Sequence, residues 1–317
     1  MTELRKIAAD GLNKNGSRFR NPLLIGTERD FLDILKWKLL SRNEYRDLYR
    51  YERVSPVKID FRSIKGNDGL SVTFIKHASI LINDGNASIL VDPVFFFLPG
   101  VRNFTPLAFR PGEFPVPDYV LITHNHFDHL NLRTLKLFKE KSRLITPLGY
   151  NDLIKGYQKR HEELDWFGSY NDGKREIISV PSNHWCFRNP IRGRNSSLWC
   201  SYIIRTSKGQ NIFIAGDTAY HDYFTDIGRE FKIDLAIFNV SAYEPAWFME
   251  SSHINPQETV KAFQELKAGR LMIVHWGSFR LGDDPVWLPP VDIALKMRKA
   301  GLSEKLGHLE HGETLFL

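Results

Sequence analysis

The sequence predicts an α/β fold in which two β-sheets pack together and helices cover their outer faces. Two observations support this prediction. Short runs rich in β-branched residues follow one another after residue 70, and Asp84-Gly85 between two of them is a strong hairpin signal. Later runs alternate with stretches of helical periodicity, as in units that join parallel strands through a helix. Because this mixture of hairpins and alternation occurs twice, we expect two sheets.

The individual elements follow from the same patterns. The runs expected to form strands are 71–76, 79–84, 87–92, 119–123, 175–180, 198–206, 211–217, 234–240 and 271–276. Helical periodicity marks 132–141, 151–158, 220–231, 256–267 and 291–300. Near the N-terminus, "TERD" at 27–30 is typical of a capping box, and the helix that it opens would carry an apolar stripe from Phe31 to Leu40.

The positive charge is concentrated near the N-terminus. Residues 1–66 hold 15 Lys and Arg against 9 Asp and Glu, which accounts for the whole net charge of +6. We therefore expect a basic N-terminal extension over residues 1–66 and one α/β domain over residues 67–317. The excess charge fits either contact with an anionic surface or a solvated extension with no partner.

Composition excludes several classes of protein. No apolar run approaches the ~18 residues that a membrane-spanning helix needs, and the N-terminus has no apolar segment of the secretory kind. Two cysteines, Cys186 and Cys200, exclude a disulfide framework, so a cytoplasmic setting is expected. Beyond residue 66 the charge is balanced, and we expect no nucleic-acid partner.

The stretch "YVLITHNHFDHLN", residues 119–131, contains three histidines and an aspartate within six positions. It follows a predicted strand and precedes a predicted helix, which is where α/β proteins place their chemistry. One metal ion cannot readily take four ligands from six residues. Two adjacent ions can, with His124 and His126 on one and Asp128 and His129 on the other.

Further ligands are expected at the ends of later strands. His184, Asp217 and His275 each lie at or just after the carboxyl end of a predicted strand. A carboxylate such as Asp217 can bridge two cations through its two oxygens. This set of nitrogen and oxygen donors without a thiolate suits two Zn²⁺ ions, and it would also accept iron or manganese.

The order of five segments resembles that of the metallo-β-lactamase superfamily, and in particular N-acylphosphatidylethanolamine-hydrolysing phospholipase D and its bacterial relatives. The matching segments are "THNHFDHL", "GDTAYHDYFTDIG", "SAYEPAWFM", "HINPQETV" and "VHWGSF", and the resemblance covers roughly residues 71–290. The sequence departs from that pattern at Lys76 and Ser241, where the family usually has glycine.

The resemblance implies an αββα sandwich, a dinuclear zinc centre and a phosphodiester substrate. Asp128 and Asp217 would orient the attacking water. The resemblance also places His253 at the active site, where it could orient the phosphate or protonate the leaving oxygen. The alternative for His253 is a capping role at the start of the helix that begins near Pro256.

Five further residues are assigned more loosely. His77 and Asp92 follow early strands and are expected to hydrogen-bond to metal ligands, with a purely structural role as the alternative. Tyr243 and Glu244 lie in a loop at a strand end, and Trp276 follows His275; each would line the substrate site or support a ligand.

Other functions use the same residues. Hydrolysis of a lactone or another ester could use the same activated water, and a non-catalytic binding module is a third hypothesis, which the complete ligand set disfavours. If the substrate is a phospholipid, residues 1–66 would contact an anionic membrane peripherally. The alternative is that the helix from Phe31 packs its apolar stripe on the domain.

Overall fold

The computed structural model describes residues 1–11, 14–16, 18–24, 29, 31–65, 69–85, 87–155 and 160–317. The strands, in chain order, are β1 (Lys14–Asn15), β2 (Arg18–Phe19), β3 (Leu70–Lys76), β4 (Ser79–Asp84), β5 (Ser88–Val91), β6 (Tyr119–Leu121), β7 (Arg143–Pro147), β8 (His161–Leu164), β9 (Ser169–Asn171), β10 (Glu176–Val180), β11 (Ser201–Arg205), β12 (Asn211–Ile214), β13 (Leu235–Asn239), β14 (Arg270–Val274) and β15 (Thr314–Phe316).

The helices are fewer and mostly short. They are α1 (Glu3–Ala9), α2 (Phe31–Leu35) with a π-helix at Lys36–Leu40, α3 (Phe61–Lys65), α4 (Leu132–Phe138), α5 (Phe224–Glu230), α6 (Ala246–Met249), α7 (Pro256–Glu265) and α8 (Leu288–Lys299). Short 3-10 helices lie at Arg46–Tyr51, Pro111–Glu113 and Ser303–Lys305. Within the described ranges, each helix is too short or too polar to span a bilayer.

Two mixed sheets form the centre of the molecule, as the sequence predicts. One has seven strands in the order β15-β3-β4-β5-β6-β7-β8, and the other has six in the order β14-β13-β12-β11-β10-β9. The first is antiparallel from β15 to β5 and parallel from β5 to β8. The second is parallel from β14 to β12 and antiparallel from there to β9.

Both faces of the seven-stranded sheet are buried, which follows from the alternation of side chains along its strands. In β4, Ile80 and Ile82 belong to the core cluster that also contains residues of the second sheet, such as Tyr202. Leu81, between them, packs in a different cluster with Leu135 of α4. The sheet is therefore covered by the other sheet on one side and by helix α4 on the other.

The predicted strands are all present, several of them shorter than expected. The sequence did not reveal β1, β2, β7, β8, β9 and β15, which have two to five residues each. The helix predicted over 151–158 is wrong for residues 151–155, which form turns; residues 156–159 lie outside the described ones. There, the backbone N–H groups of Tyr150 and Asn151 donate to the Glu163 carboxylate of β8.

The predicted N-terminal helix is present at residues 31–40, while Thr27, Glu28 and Asp30 of the capping box lie outside the described residues. Of its apolar stripe, Trp37 is buried, but Leu39 and Leu40 are 75% and 81% exposed. Elsewhere in this segment, Leu4 and Leu23 are buried in the main hydrophobic core. The division into an extension over 1–66 and a domain over 67–317 remains a prediction.

Candidate metal centre

The predicted metal ligands lie at one edge of the sandwich. His124 to His129 follow β6, His184 follows β10, Asp217 follows β12, and His275 follows β14. β10, β12 and β14 run in the same direction in the six-stranded sheet, so their carboxyl ends lie at one edge, where the residues that follow β6 of the other sheet meet them. A turn in which the His129 and Leu130 N–H groups donate to the His126 carbonyl brings His129 back toward the cluster.

Three histidines form the first half of the cluster. The Nδ1 atom of His126 is 2.9 Å from Nε2 of His124 and 3.4 Å from Nε2 of His184. Oδ2 of Asp217 lies 3.9 Å from the His124 nitrogen and 4.0 Å from the His184 nitrogen. These four donor atoms surround one small volume.

The second half contains Asp128, His129 and His275. The Nε2 atoms of His129 and His275 are 3.2 Å apart, and Oδ2 of Asp128 is 3.6 Å from the first and 3.7 Å from the second. Asp217 completes this half as well, with Oδ2 3.3 Å from His129 Nε2 and Oδ1 3.4 Å from His275 Nε2. Asp217 is thus within reach of both halves.

These separations match what a metal ion requires. Ligand atoms ~2.0–2.1 Å from a tetrahedral zinc ion lie about 3.3–3.4 Å from one another. The donor separations in the second half, 3.2 to 3.7 Å, bracket that value. Those in the first half, 2.9 to 4.0 Å, lie around it.

Hydrogen bonds on the outer side of the rings determine which nitrogens face inward with a lone pair. Nδ1 of His129 lies 2.8 Å from Asp92 Oδ2, and Nδ1 of His184 lies 2.9 Å from the Ser252 carbonyl, so each carries the proton it donates. Thr123 gives its hydroxyl proton to Asp92, so its oxygen accepts from Nδ1 of His124. The three Nε2 lone pairs therefore converge, an arrangement that a cation stabilises.

The electrostatics of the cluster also favour a cation. Burial lowers the pKa of His126 to about 4, and burial with neighbouring histidines holds the pKa of His124 well below its usual range, so both are neutral as metal ligands must be. For His129, burial opposes charge, but the carboxylates of Asp217 and Asp128 outweigh it and raise its pKa well above the usual range. The carboxylates therefore attract positive charge to this position.

A cavity of about 500 Å³ opens onto the cluster. Its polar lining includes His126, Asp128, Asp217, Ser252 and His253, and the rest is largely apolar and aromatic. The apolar side chains come from several loops and from helix α6: Leu98, Pro99, Val101, Phe127, Trp185, Phe248, Met249 and Leu281. Among the described residues, no lysine or arginine lines this cavity.

His253 lines the cavity beside the cluster. Its Nδ1 atom is 3.8 Å from Asp217 Oδ2, and burial lowers its pKa, so the ring is neutral near pH 7. The helix that follows is capped by Asn255, whose side chain accepts from the Glu258 N–H, and not by His253. The capping alternative for His253 is therefore wrong.

His77 and Asp92 both contact the cluster. Nε2 of His77 is 3.0 Å from Oδ2 of Asp128, and its ring lies 3.8 Å from the His275 ring. The His77 carbonyl accepts from the His275 N–H, and both residues adopt positive φ angles of 49° and 77°. Asp92 accepts from His129 and from Thr123, as described above. Both residues are placed where they can orient ligands.

The structure does not bring Tyr243, Glu244 and Trp276 into the cavity lining. The Tyr243 hydroxyl lies 3.0 Å from Asp292 of α8. Glu244 faces the N-terminal segment, with Oε1 3.4 Å from the Tyr45 hydroxyl. The Trp276 ring packs against Phe74 and the His311 and His308 rings of the C-terminal segment.

Sequence reasoning missed three residues that hold the cluster together. They are Thr123 and Ser252, through the contacts given above, and Asn239, whose Nδ2 donates to Asp217 Oδ1 at 2.7 Å. Asn239 could have been found, because it is a polar residue at the end of an otherwise apolar strand. The Ser252 carbonyl carries no side-chain signal in the sequence.

Two facing mixed sheets with a histidine and aspartate cluster at one edge define an αββα protein with a candidate metal centre. The chain belongs to the β-lactamase superfamily, since the model of that family, described as a Beta-lactamase superfamily domain, matches residues 87–276.

Named relatives and a solved structure agree with this assignment. The mitochondrial N-acyl-phosphatidylethanolamine-hydrolyzing phospholipase D of Saccharomyces cerevisiae is 31% identical over 245 residues, covering 71% of this chain and 51% of that protein. The N-acyl-phosphatidylethanolamine-hydrolyzing phospholipase D 1 of Caenorhabditis elegans is 27% identical over 308 residues, covering 88% and 86%. The structure of Igni18, a metallo hydrolase from Ignicoccus hospitalis, aligns with a TM-score of 0.61 at 18% identity, covering 78% and 98%.

Proposed function

We propose that this protein is a metal-dependent hydrolase that holds two zinc ions. His124, His126 and His184 would bind one ion, Asp128, His129 and His275 the other, and Asp217 would bridge them. The convergence of ring nitrogens from buried histidines on the Asp128 and Asp217 carboxylates supports this proposal. Iron and manganese are the alternative metals for such a donor set. Two such ions would polarise a phosphoryl oxygen and supply a water with a pKa near ~7.

For the substrate, we propose a phosphodiester lipid similar to N-acylphosphatidylethanolamine. The observation that carries this proposal is the cavity, whose lining is apolar except where it meets the cluster. An acyl chain fits such a lining, while a nucleotide or a sugar phosphate would leave polar groups unpaired there. The names of the yeast and worm relatives support the same substrate class.

The proposed reaction is hydrolysis of the phospholipase D type. The oxygen of water forms a bond to phosphorus, the bond from phosphorus to the head-group oxygen breaks, and that oxygen takes up a proton. The products are phosphatidic acid and an alcohol that bears an amide. Asp128 and Asp217, which line the cavity, would accept hydrogen bonds from the attacking water and so orient it.

His253 would orient the scissile phosphate. It lines the cavity, and its burial-lowered pKa leaves it neutral near pH 7, with one N–H to donate to a phosphate oxygen. His77 and Asp92 would act from behind the ligands, His77 by holding Asp128 and Asp92 by holding His129.

We further propose that a cytoplasmic form of the protein contacts anionic membranes peripherally through residues 1–66. Trp37 lies 4.9 Å from Phe248, a cavity-lining residue, so the helix at residues 31–40 lies beside the cavity. Leu39 and Leu40 are exposed on that helix, and Phe127, at 54% exposed, lines the cavity itself. Apolar side chains next to a substrate cavity fit a lipid surface.

Metal analysis and a substrate screen test the function. The purified protein is expected to contain two equivalents of zinc and to hydrolyse N-acylphosphatidylethanolamine in mixed micelles. One equivalent or less in a fully active protein would contradict the dinuclear site. A lactone or thioester hydrolysed much faster than every phosphodiester tested would instead support the ester hydrolase alternative and contradict the lipid substrate.

A further inference from the structure

A short N-terminal segment contacts the loop that carries His184, although it lies outside the residues that match the family. The segment comprises residues 18–24, and the family match begins at residue 87. It is held at both ends, since the Phe19 N–H donates to the Asn195 carbonyl and Leu23 is buried in the core. Its position over the His184 loop is therefore well defined.

Asn21 makes the contact with that loop. Its Nδ2 donates to Oδ1 of Asn183 at 2.7 Å and to the carbonyl of His184 at 3.0 Å. Its own Oδ1 accepts from the Leu23 N–H at 3.0 Å, which fixes the orientation of the amide. Both amide protons of Asn21 therefore point at the His184 loop.

This contact connects to both halves of the cluster. The imidazole of His184 is held by the Ser252 carbonyl on one side, and its backbone is held by Asn21 on the other. Asn183 in turn donates its N–H to Thr218 Oγ1 at 2.9 Å and accepts from the Ala219 N–H at 2.8 Å. Thr218 and Ala219 directly follow Asp217, so Asn21 braces the loops that carry both His184 and Asp217.

We propose that Asn21 is a positioning residue for the metal centre, and that the N-terminal segment is part of the active site through it. The inference rests on the proposed function, because it takes His184 to be a metal ligand. Groups that orient metal ligands from behind commonly contribute about 10- to 100-fold to metal affinity. Loss of the Asn21 amide should therefore weaken the ion that His184 would hold more than the other ion.

Two variants isolate the donated hydrogen bonds. Asn21→Asp keeps the acceptor for the Leu23 N–H but presents an oxygen to the Asn183 and His184 oxygens, and Asn21→Ala removes the amide without adding charge. Asn211→Asp is the matched control, since its Nδ2 donates to the Lys232 carbonyl at the other end of β12, away from the cluster.

The measurements are chelator competition for Zn²⁺ and the visible spectrum of the protein loaded with Co²⁺. Both Asn21 variants are expected to lose about tenfold or more in affinity for one equivalent, with a changed Co²⁺ spectrum, while Asn211→Asp matches the parent protein. Circular dichroism checks that each variant is folded. If one Asn21 variant is unfolded, the metal affinity and Co²⁺ spectrum of the other variant test the proposal.

The outcomes separate this inference from the proposed function. A parent protein that binds two equivalents, with Asn21 variants of unchanged affinity and spectrum, overturns the role of Asn21 and leaves the proposed function standing. A parent protein that binds no metal overturns both. Equal weakening of both equivalents, or the same weakening in Asn211→Asp, would assign the effect to general stability and overturn the positioning role.

Discussion

His124, His129 and His184 illustrate how single hydrogen bonds prepare a site. Each ring donates from Nδ1 to an oxygen on its outer side, which leaves Nε2 as an acceptor facing the other rings. The acceptors differ in chemistry: a threonine hydroxyl, a carboxylate and a backbone carbonyl. The common result is that all three rings turn Nε2 toward the cluster, which is the nitrogen that would bind a metal.

Asp217→Ala is expected to abolish activity and to lower metal content. Asp217 is the one carboxylate among the described residues that lies within 4.0 Å of the nitrogens of both His184 and His275. Its removal should therefore weaken both ions by more than the ~10- to 100-fold typical of supporting residues. Elemental analysis and turnover of the variant check this. Retention of both metals with near-normal turnover would show that Asp217 does not bridge them.

His253→Ala is expected to keep both metals and to lose about 100-fold in kcat. The reason is that His253 lines the cavity, with its Nδ1 atom 3.8 Å from Asp217 Oδ2, and does not belong to either group of proposed ligands. Steady-state kinetics with metal analysis check this, and His308→Ala, at an exposed histidine of the C-terminal segment, is the control. Loss of metal from the His253 variant would make it a ligand instead of a substrate contact.

The Lys76 amine is buried. The phospholipase D family that the sequence resembles usually has glycine at this position. The Lys76 Nζ atom donates to Asn103 Oδ1 at 2.9 Å and lies 4.8 Å from the Phe279 ring centre, and burial lowers its pKa to about 7. Below pH ~7 the amine is charged in both the folded and the unfolded chain. Folding then carries the whole free-energy cost of burying the charged amine. Above that pH the folded amine is neutral, and the cost falls until the unfolded lysine also loses its proton near ~10.4.

Lys76→Met is therefore expected to stabilise the protein most at pH 6–7. Its gain in Tm should be several degrees there, on a scale of about 2–4 °C per kcal/mol, and should shrink as the pH rises toward 10. Thermal unfolding of both proteins at several pH values checks this. Lys299→Met, at an exposed position in α8, should change Tm little at any pH. A gain in Tm that does not depend on pH would show that the charge of the buried Lys76 amine does not cause it.

At the scale of elements, the helix at residues 31–40 has an unusual exposure pattern. Its buried anchor is Trp37, whose Nε1 donates to Asp283 Oδ2 at 3.0 Å. The leucines of the same helix remain exposed, and Lys36 lies 5.0 Å from the Trp247 ring centre. An apolar, basic helix attached beside the cavity is the feature on which the membrane proposal depends.

Binding to anionic vesicles tests that element. The protein is expected to sediment with the vesicles at low salt and less at high salt, since each basic residue near the surface adds about 1 kcal/mol. Leu39→Ser with Leu40→Ser should reduce the bound fraction, while Leu295→Ser, an exposed leucine of α8, should not. No binding at low salt would remove the membrane proposal and leave the metal centre unaffected.

At the scale of the whole molecule, a buried ion pair joins the two sheets. Arg175, before β10, donates from Nε to Oδ2 of Asp84, at the end of β4, at 3.0 Å. Ser207, after β11, also donates to Asp84 from its N–H and hydroxyl at 2.8 Å. Asp84 of the seven-stranded sheet therefore holds the ends of β10 and β11 of the six-stranded sheet, away from the metal centre.

Asp84→Asn is expected to destabilise the fold by about 3 kcal/mol without changing metal affinity. The variant removes one of two carboxylates from the buried Arg175 guanidinium, whose Nη1 remains 2.6 Å from Asp172, so the cost should lie at the low end of the ~3–5 kcal/mol typical of breaking a buried pair. Chemical denaturation and chelator competition check the two parts. Glu176→Gln, which breaks the exposed pair with Arg205, should cost less than ~1 kcal/mol. Similar losses in the two variants would contradict a specific role for the buried pair.

Much of the fold could be predicted because it depends on local patterns. The hairpin around Asp84-Gly85 is confirmed by the antiparallel pairing of β4 with β5, and the apolar runs coincide with strands. The predicted helix over 151–158 was wrong at residues 151–155, which form turns that the Glu163 carboxylate of β8 holds through the N–H groups of Tyr150 and Asn151. Such a contact has no counterpart in local periodicity.

In the candidate site, too, local sequence patterns predicted one part and the packing of distant segments determined the rest. Its ligand residues are visible in the sequence, because each is a histidine or aspartate at or just after the carboxyl end of a predicted strand, and their roles as ligands remain a prediction. The sequence also placed Tyr243 and Trp276 near the site, and only packing determined that they face α8 and the C-terminal segment.

The sequence by itself therefore determined the class of fold, the edge at which chemistry could occur and the type of donor atoms available there. Tertiary structure decided which nitrogen of each histidine faces inward, which side chains line the cavity, and that Asn21 reaches a loop 162 residues away. The physical reason is that periodicity and motifs record interactions between neighbours in the chain. Hydrogen-bond partners and cavity walls depend on how distant segments pack, and one sequence carries no separate signal for them.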